Sequence, residues 1–225
     1  MTTTAYVAFR SSDSLHQLTD GFIQRMRDPA ARPEPDVVEK IMTTFIDEAL
    51  QAFFLRPADL SALSSTQKRL VRIATDTISK ATRLVIGRSV RKMDLEQNRA
   101  AAEYMDDIRL PGPDHTFWYV AFPISDALAA QGHRLEAMAR EGNIEAAQDE
   151  MVRYLRGVTD QALIWYFDKP IALLRFGPIL RKIAAVGVDT TRKASYGVIN
   201  KVIPKLDAEQ FVRSAQYYQS MRIHP

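Results

Sequence analysis

The tetrapeptide Tyr6-Val7-Ala8-Phe9 recurs unchanged as Tyr119-Val120-Ala121-Phe122, 113 positions further along the chain. At this offset, 29 of the 112 residue pairs that align without a gap are identical. Unrelated chains of average composition share roughly 6–7% of positions by chance, which is about eight pairs. Because the identical pairs keep one offset over the whole chain, the sequence predicts an internal duplication.

The joint between the two predicted repeats is the turn-forming tripeptide Pro111-Gly112-Pro113. We therefore predict a first helical repeat over residues 1–113 and a second over residues 114–225. Two copies in one chain usually pack like a covalent homodimer, through a self-complementary surface about a near two-fold axis. The two repeats are accordingly expected to form one pseudo-dimeric globular unit.

Helix boundaries recur in the same register although the residues that mark them differ. Ser64 and Gln67 form a capping-box pattern, and the matching positions hold Gly177 and Pro178, another helix-start signature. Apolar residues follow the 3.6-residue helical period over Val38–Phe53 and again over Ile144–Trp165. These patterns predict an all-α fold: a multi-helix bundle that is internally duplicated and has pseudo-two-fold symmetry.

The two Tyr-Val-Ala-Phe segments are the exception to this helical pattern. Aromatic and β-branched residues concentrate at residues 4–9 and 117–122, so each repeat is expected to open with a short extended or β segment. The sequence leaves two arrangements open. The segments pair as antiparallel strands near the axis, or each packs as an extended lead-in against its own helices.

Composition narrows the class of protein. The chain has 225 residues, a net charge of +3, and no cysteine, which excludes a disulfide framework, a thiolate metal site and a cysteine nucleophile. The N-terminus lacks the pattern of a secretory signal, and no apolar run is long enough to span a bilayer. We therefore expect a cytoplasmic protein with no transmembrane segment.

Positive charge concentrates in one segment of each repeat. Residues 64–93 carry eight Lys or Arg against one Asp, and residues 177–206 carry six against one. Five positions are basic in both copies, which predicts two equivalent basic surfaces suited to an anionic partner. The candidate partner-binding residues are Lys68, Arg69, Lys80, Arg88, Lys92, Arg181, Lys182, Lys193, Lys201 and Lys205.

Two other interpretations of these charges remain open. The basic residues could form an ordinary solvated helix face, with Arg72, Asp76 and Lys80 paired at four-residue spacing, or they could bridge to the acidic remainder of the chain. Among anionic partners, nucleic acid is disfavoured because Tyr196 is the only aromatic residue in the basic segments. The apolar segment Pro170–Val188 resembles a membrane-interfacial helix in composition, but burial in the core is the preferred interpretation because Pro178 interrupts it and apolar residues cover most of its circumference.

The sequence contains no recognisable catalytic motif, and we predict no catalytic residue, no metal site and no cofactor. His133 and Glu136 have helical i,i+3 spacing, but two residues are too few to define a metal site. Four polar residues that recur in both copies are candidates for a site between the repeats: Asp76, Tyr104, Asp189 and Tyr217.

These observations predict a non-enzymatic helical binding or adaptor protein that engages an anionic macromolecule or acidic surface through its two basic segments. The alternative is a small-molecule-binding protein or enzyme with a site at the interface between the repeats. A concave pocket lined by both copies of Asp76, Lys80 and Tyr104 would favour the alternative, and a flat basic face would favour the adaptor.

Overall fold

A computed structural model describes residues 4–224, and this part of the chain is mostly helical with one small antiparallel sheet. Below, the first half is 4–113, the second half is 114–224, and two residues 113 positions apart are twins. The first half contains β1 (Tyr6–Arg10), α1 (Asp13–Met26), α2 (Pro35–Leu50), a π-helical segment (Gln51–Leu55), α3 (Arg56–Leu60), α4 (Ser65–Ser89), a 3₁₀ turn (Val90–Lys92), α5 (Leu95–Asp107) and β2 (Arg109–Pro111).

The second half presents the same elements in the same order. They are β3 (Trp118–Pro123), α6 (Asp126–Arg140), α7 (Ile144–Leu163), a π-helical segment (Ile164–Asp168), α8 (Lys169–Leu173), α9 (Pro178–Val202), a 3₁₀ turn (Ile203–Lys205), α10 (Ala208–Ser220) and β4 (Arg222–Ile223). From the π-helical segment to the end of α5, every boundary has its counterpart at the offset of 113.

The four strands form a single sheet in the order β2-β3-β1-β4, with antiparallel neighbours throughout. The central ladder pairs Ala8 with its own twin Ala121, and the remaining pairs are arranged reciprocally around it. The Tyr-Val-Ala-Phe segments therefore pair with each other rather than packing separately. All three ladders join a strand of one half to a strand of the other.

The sheet corrects the expectation of an all-α fold. Two of its strands, β2 and β4, lie at the C-terminal end of each half, where the sequence carries no strand pattern. They are only three and two residues long, too short for a period-two alternation to be recognised. Pairing with strands from the other half supplies the hydrogen bonds that define them.

Local hydrogen bonds set the helix boundaries that the sequence predicts. Ser64 and Gln67 form a complete capping box at the start of α4, and Asp94 and Asp207 do the same for α5 and α10. Such a cap satisfies backbone N–H groups that the first helical turn leaves without partners. The start of α9 has instead Gly177 at the N-cap and a proline in the first turn.

Both long apolar stripes end in a π-helical segment, which the 3.6-residue period does not predict. The segments lie at twin positions, immediately after α2 and α7. A π turn inserts an extra residue and leaves backbone carbonyls free of the usual helical bonds. Two tyrosines from the opposite halves bind these carbonyls, so the irregularity forms part of the contact between halves.

Candidate functional site

The two basic segments predicted from the sequence meet in one place. They form α4 and α9, and these two helices share the most extensive helix–helix contact in the described chain. A Cβ atom at Gly187 would lie 2.8 Å from the Cγ2 atom of Val85, so the absence of a side chain permits the close approach. The two basic surfaces predicted as separate sites therefore belong to a single helix pair.

The two helices bury the same face. Seven of their buried positions are twins, namely Val71 and Ala184, Ala74 and Gly187, Thr75 and Val188, Ile78 and Thr191, Thr82 and Ser195, Ile86 and Ile199, and Ser89 and Val202. Because the buried positions of the two helices are twins, their solvent-facing positions are twins as well.

The opposite side of each helix carries one stripe of side chains spaced three or four residues apart, which places them on a single helical face. On α4 the stripe is Arg69, Ile73, Asp76, Lys80, Leu84 and Arg88, all exposed. On α9 it is Lys182, Val186, Asp189, Lys193, Gly197 and Lys201, of which all but the half-buried Gly197 are exposed. We call these two stripes together the basic face.

Most of the predicted basic residues have no internal counterion. Nine of the ten are exposed, and Lys68 is half-buried. Lys68 pairs with Asp59 at 2.9 Å and Lys193 with Asp189 at 2.7 Å; in the part of the chain that the structure describes, the other eight form no ion pair. The pairing of Asp76 with Arg72 and Lys80, which the solvated-face interpretation included, does not form within 4.0 Å among the residues that the structure describes.

Twin aspartates on α2 and α7 neutralise charges at the edges of the helix pair. Asp47 accepts two hydrogen bonds from Arg83, at 2.6 and 2.7 Å. Its twin Asp160 accepts one from Arg192 at 3.1 Å and one from the Tyr196 hydroxyl at 2.7 Å. Burial and the neighbouring Asp160 raise the pKa of Tyr196 to about 12. This aromatic ring is thus engaged inside the protein.

The four polar candidates for a site between the halves fall into two separate groups. Asp76 and Asp189 are exposed on the basic face. Tyr104 is half-buried and donates to the carbonyl of Trp165 at 2.5 Å, and its twin Tyr217 donates to that of Ala52 at 2.8 Å. Burial raises the pKa of both phenols, so they remain neutral donors. No described contact joins the aspartates to the tyrosines.

Two apolar cavities, each partly open to solvent, lie between helices of the described chain, and the sequence indicates neither. A cavity of about 130 Å³ is lined by apolar side chains from both halves, among them Phe53, Phe54, Leu155 and Val158. A second cavity, of about 90 Å³, is lined mostly by first-half residues and includes Tyr104 and Arg109. Phe45 and Tyr166 line both cavities. Cavity formation depends on how helices pack in space, which the helical period does not encode.

Among residues 4–224, no group of three or more His, Asp or Glu side chains is placed to hold a metal ion. The same part of the chain contains no helix long and apolar enough to cross a membrane. Comparisons of the chain with protein-family models, with curated proteins and with solved structures find no match.

Proposed function

We propose that this chain is a non-enzymatic binding or adaptor protein that docks onto an anionic surface through the basic face. The observation that carries the proposal is the convergence of both basic segments on one helix pair, where five of the six Lys and Arg side chains of the basic face lack an ion pair in the described structure. Clustered like charges repel one another and cost stability unless a partner compensates them.

An anionic lipid bilayer suits this face better than the other anionic partners do. Exposed aliphatic side chains stand within the stripes: Ile73 is 54% exposed, Leu84 51% and Val186 63%. Lys and Arg near an anionic bilayer contribute about 1 kcal/mol each, while aliphatic side chains enter the interfacial region. Nucleic acid is less well matched because Tyr196, the only aromatic residue of α4 and α9, is bound to Asp160.

The segment Pro170–Val188 adds to this preference. Leu174, Phe176 and Val188 are buried, as a core segment requires, but Leu173 and Ile179 are 43% and 76% exposed. Ile179 precedes the exposed Arg181 and Lys182 in sequence. An apolar side chain beside two cations is the composition of a membrane-interfacial site.

We also propose that the chain arose by internal duplication and that its halves pack about a near two-fold axis as one unit. Supporting observations are the ungapped sequence register, the coincident element boundaries and the reciprocal ladder centred on Ala8 and Ala121. A cytoplasmic location remains an expectation based on the absence of cysteine.

A vesicle-binding experiment tests the membrane proposal. Sedimentation with phosphatidylcholine vesicles, with and without phosphatidylserine, is measured for the wild type and for the Lys80→Glu/Lys193→Glu double variant. We expect binding that requires phosphatidylserine, weakens as salt rises, and falls roughly tenfold or more in the variant. The matched control Arg32→Glu/Arg140→Glu changes the net charge equally at exposed positions outside the basic face and should bind as the wild type does.

The experiment distinguishes the identity of the partner from the location of the binding surface on this protein. Binding to DNA or heparin instead of vesicles, lost in the Lys80→Glu/Lys193→Glu variant, would keep the basic face and replace the bilayer by a polyanion. Failure to bind any of the three probes, or equal binding by both double variants, would overturn the proposal.

A further inference from the structure

The smaller cavity has an apolar wall with a polar corner. It lies among α1, α2, α5 and α8, and its volume is about 90 Å³. Leu15, Val38, Ile41 and Met105 supply part of the apolar wall. A mostly apolar cavity of this kind accepts small apolar molecules; an engineered cavity of about 150 Å³ in another protein binds benzene.

Two hydrogen-bond donors in the wall of this cavity lack acceptors. Arg109 Nε and the Tyr166 hydroxyl are buried and have no hydrogen-bond partner in the described structure. Burial raises the pKa of Tyr166, so its hydroxyl keeps the proton that it can donate. A buried donor without a partner costs about 1–3 kcal/mol, and both donors line the same space.

The corresponding region of the second half carries different side chains. Tyr154 and Tyr218 stand at the twin positions of Ile41 and Met105, and Phe53 stands at the twin position of Tyr166. Phe53 and Tyr218 line the larger cavity, and the Tyr218 hydroxyl donates to the carbonyl of Phe53 at 3.1 Å. Because phenylalanine has no hydroxyl, the second half lacks the donor that Tyr166 supplies beside the smaller cavity.

The charges around the cavity are already balanced. Arg109 pairs with Asp106 at 2.7 Å and lies 3.5 Å from Asp20. Burial and the neighbouring Arg109 lower the pKa of His16, which keeps its ring neutral at pH 7. The hydroxyls of Ser11 and Thr19 both donate to backbone carbonyls. The remaining requirement of this site is therefore a neutral hydrogen-bond acceptor.

From this arrangement we infer a second binding site, independent of the basic face: the cavity beside Arg109 and Tyr166 binds a compact, uncharged, mostly apolar molecule with a carbonyl or ether oxygen. The apolar part lies against Ile41 and Met105. The oxygen accepts hydrogen bonds from Arg109 Nε and the Tyr166 hydroxyl.

Cyclopentanone and methylcyclopentane form a pair of probes with the same number of non-hydrogen atoms, in which a methyl group replaces the carbonyl oxygen. NMR titration of the full chain with cyclopentanone should shift the Arg109 Nε–Hε resonance. Tyr166→Phe removes one donor without filling the cavity, and should weaken cyclopentanone binding roughly 3- to 10-fold while leaving methylcyclopentane binding unchanged.

Filling the cavity provides the second test. Ile41→Tyr copies the residue of the second half and should abolish binding of both probes, whereas Ile179→Tyr makes the same change at an exposed position and should leave binding intact. Should Ile41→Tyr fail to fold, the Tyr166→Phe comparison decides the question alone. Absence of cyclopentanone binding, or binding indifferent to Tyr166→Phe, would overturn the inference and assign the two donors to buried water.

Discussion

Arg109 and Arg222 occupy twin positions in the two halves, and their surroundings differ. Each side chain is 6% exposed, but Arg222 contacts Glu136, which is 12% exposed, whereas Arg109 contacts Asp106, which is 37% exposed. Arg222 is further enclosed by Tyr154, while Arg109 faces a cavity. The twin positions therefore both hold a buried cation, but different groups compensate its charge.

The tyrosine contacts between the halves, in contrast, are the same at both twin positions. Tyr104 and Tyr217 donate to carbonyls that are themselves twins, those of Trp165 and Ala52. Here the residue, its acceptor and the local backbone geometry are all repeated. At these twin positions, the contacts that join the halves are more alike than the packing around the two arginines.

The largest expected effect comes from separating the halves. Fragments 1–113 and 114–225 should each fail to melt cooperatively in circular dichroism, because every strand ladder joins one half to the other. A full-length chain cut within the exposed segment 114–116 after folding is the control, and it should keep its structure. A cooperative transition of the 114–225 fragment at the full-length temperature would show that the halves are independent domains.

The buried cations should respond unequally to loss of their partners. Glu136→Ala leaves the Arg222 charge without its carboxylate in a nearly closed site, and should lower the free energy of unfolding by roughly 3 kcal/mol. Asp106→Ala should lower the free energy of unfolding by about 1 kcal/mol, because its ion pair with Arg109 is more exposed and Asp20 lies nearby. Denaturant unfolding measures both variants. Equal costs would contradict the difference between the two sites.

The smallest effects are expected at the repeated tyrosines. Tyr104→Phe and Tyr217→Phe each remove one hydrogen bond between the halves, and each should lower the free energy of unfolding by about 1 kcal/mol. Their effects should add in the double variant because the bonds are separate. Tyr119→Phe is the control, since no hydrogen bond of its hydroxyl occurs in the described structure. A loss confined to one of the two twin variants would show that their contacts are not equivalent.

Much of the local structure follows from short stretches of sequence. The helix starts at Ser64 and Gly177 are correctly predicted, because such signals depend on residues only a few positions apart. The exposure of the stripe residues follows from helical periodicity, because exposed and buried faces alternate with a known period.

The cavities and the short strands were not predictable in this way. Ile41 and Met105 are ordinary apolar residues of amphipathic helices, and only their distance from Arg109 and Tyr166 makes them part of a polar-cornered cavity. The strands β2 and β4 contain too few residues to show a pattern of their own. Both features depend on contacts between residues far apart in the chain.

By itself, the sequence determined the repeated register, several helix boundaries and the concentration of positive charge in two twin helical segments. These properties arise from side chains within a few positions of one another and from their comparison at a constant offset. Only the tertiary structure decided that the two Tyr-Val-Ala-Phe segments pair, that both basic segments share one helix pair, and that Arg109 and Tyr166 line the same cavity. Packing in three dimensions selects these arrangements, because burial of apolar surface depends on which faces meet and not on the order of residues alone.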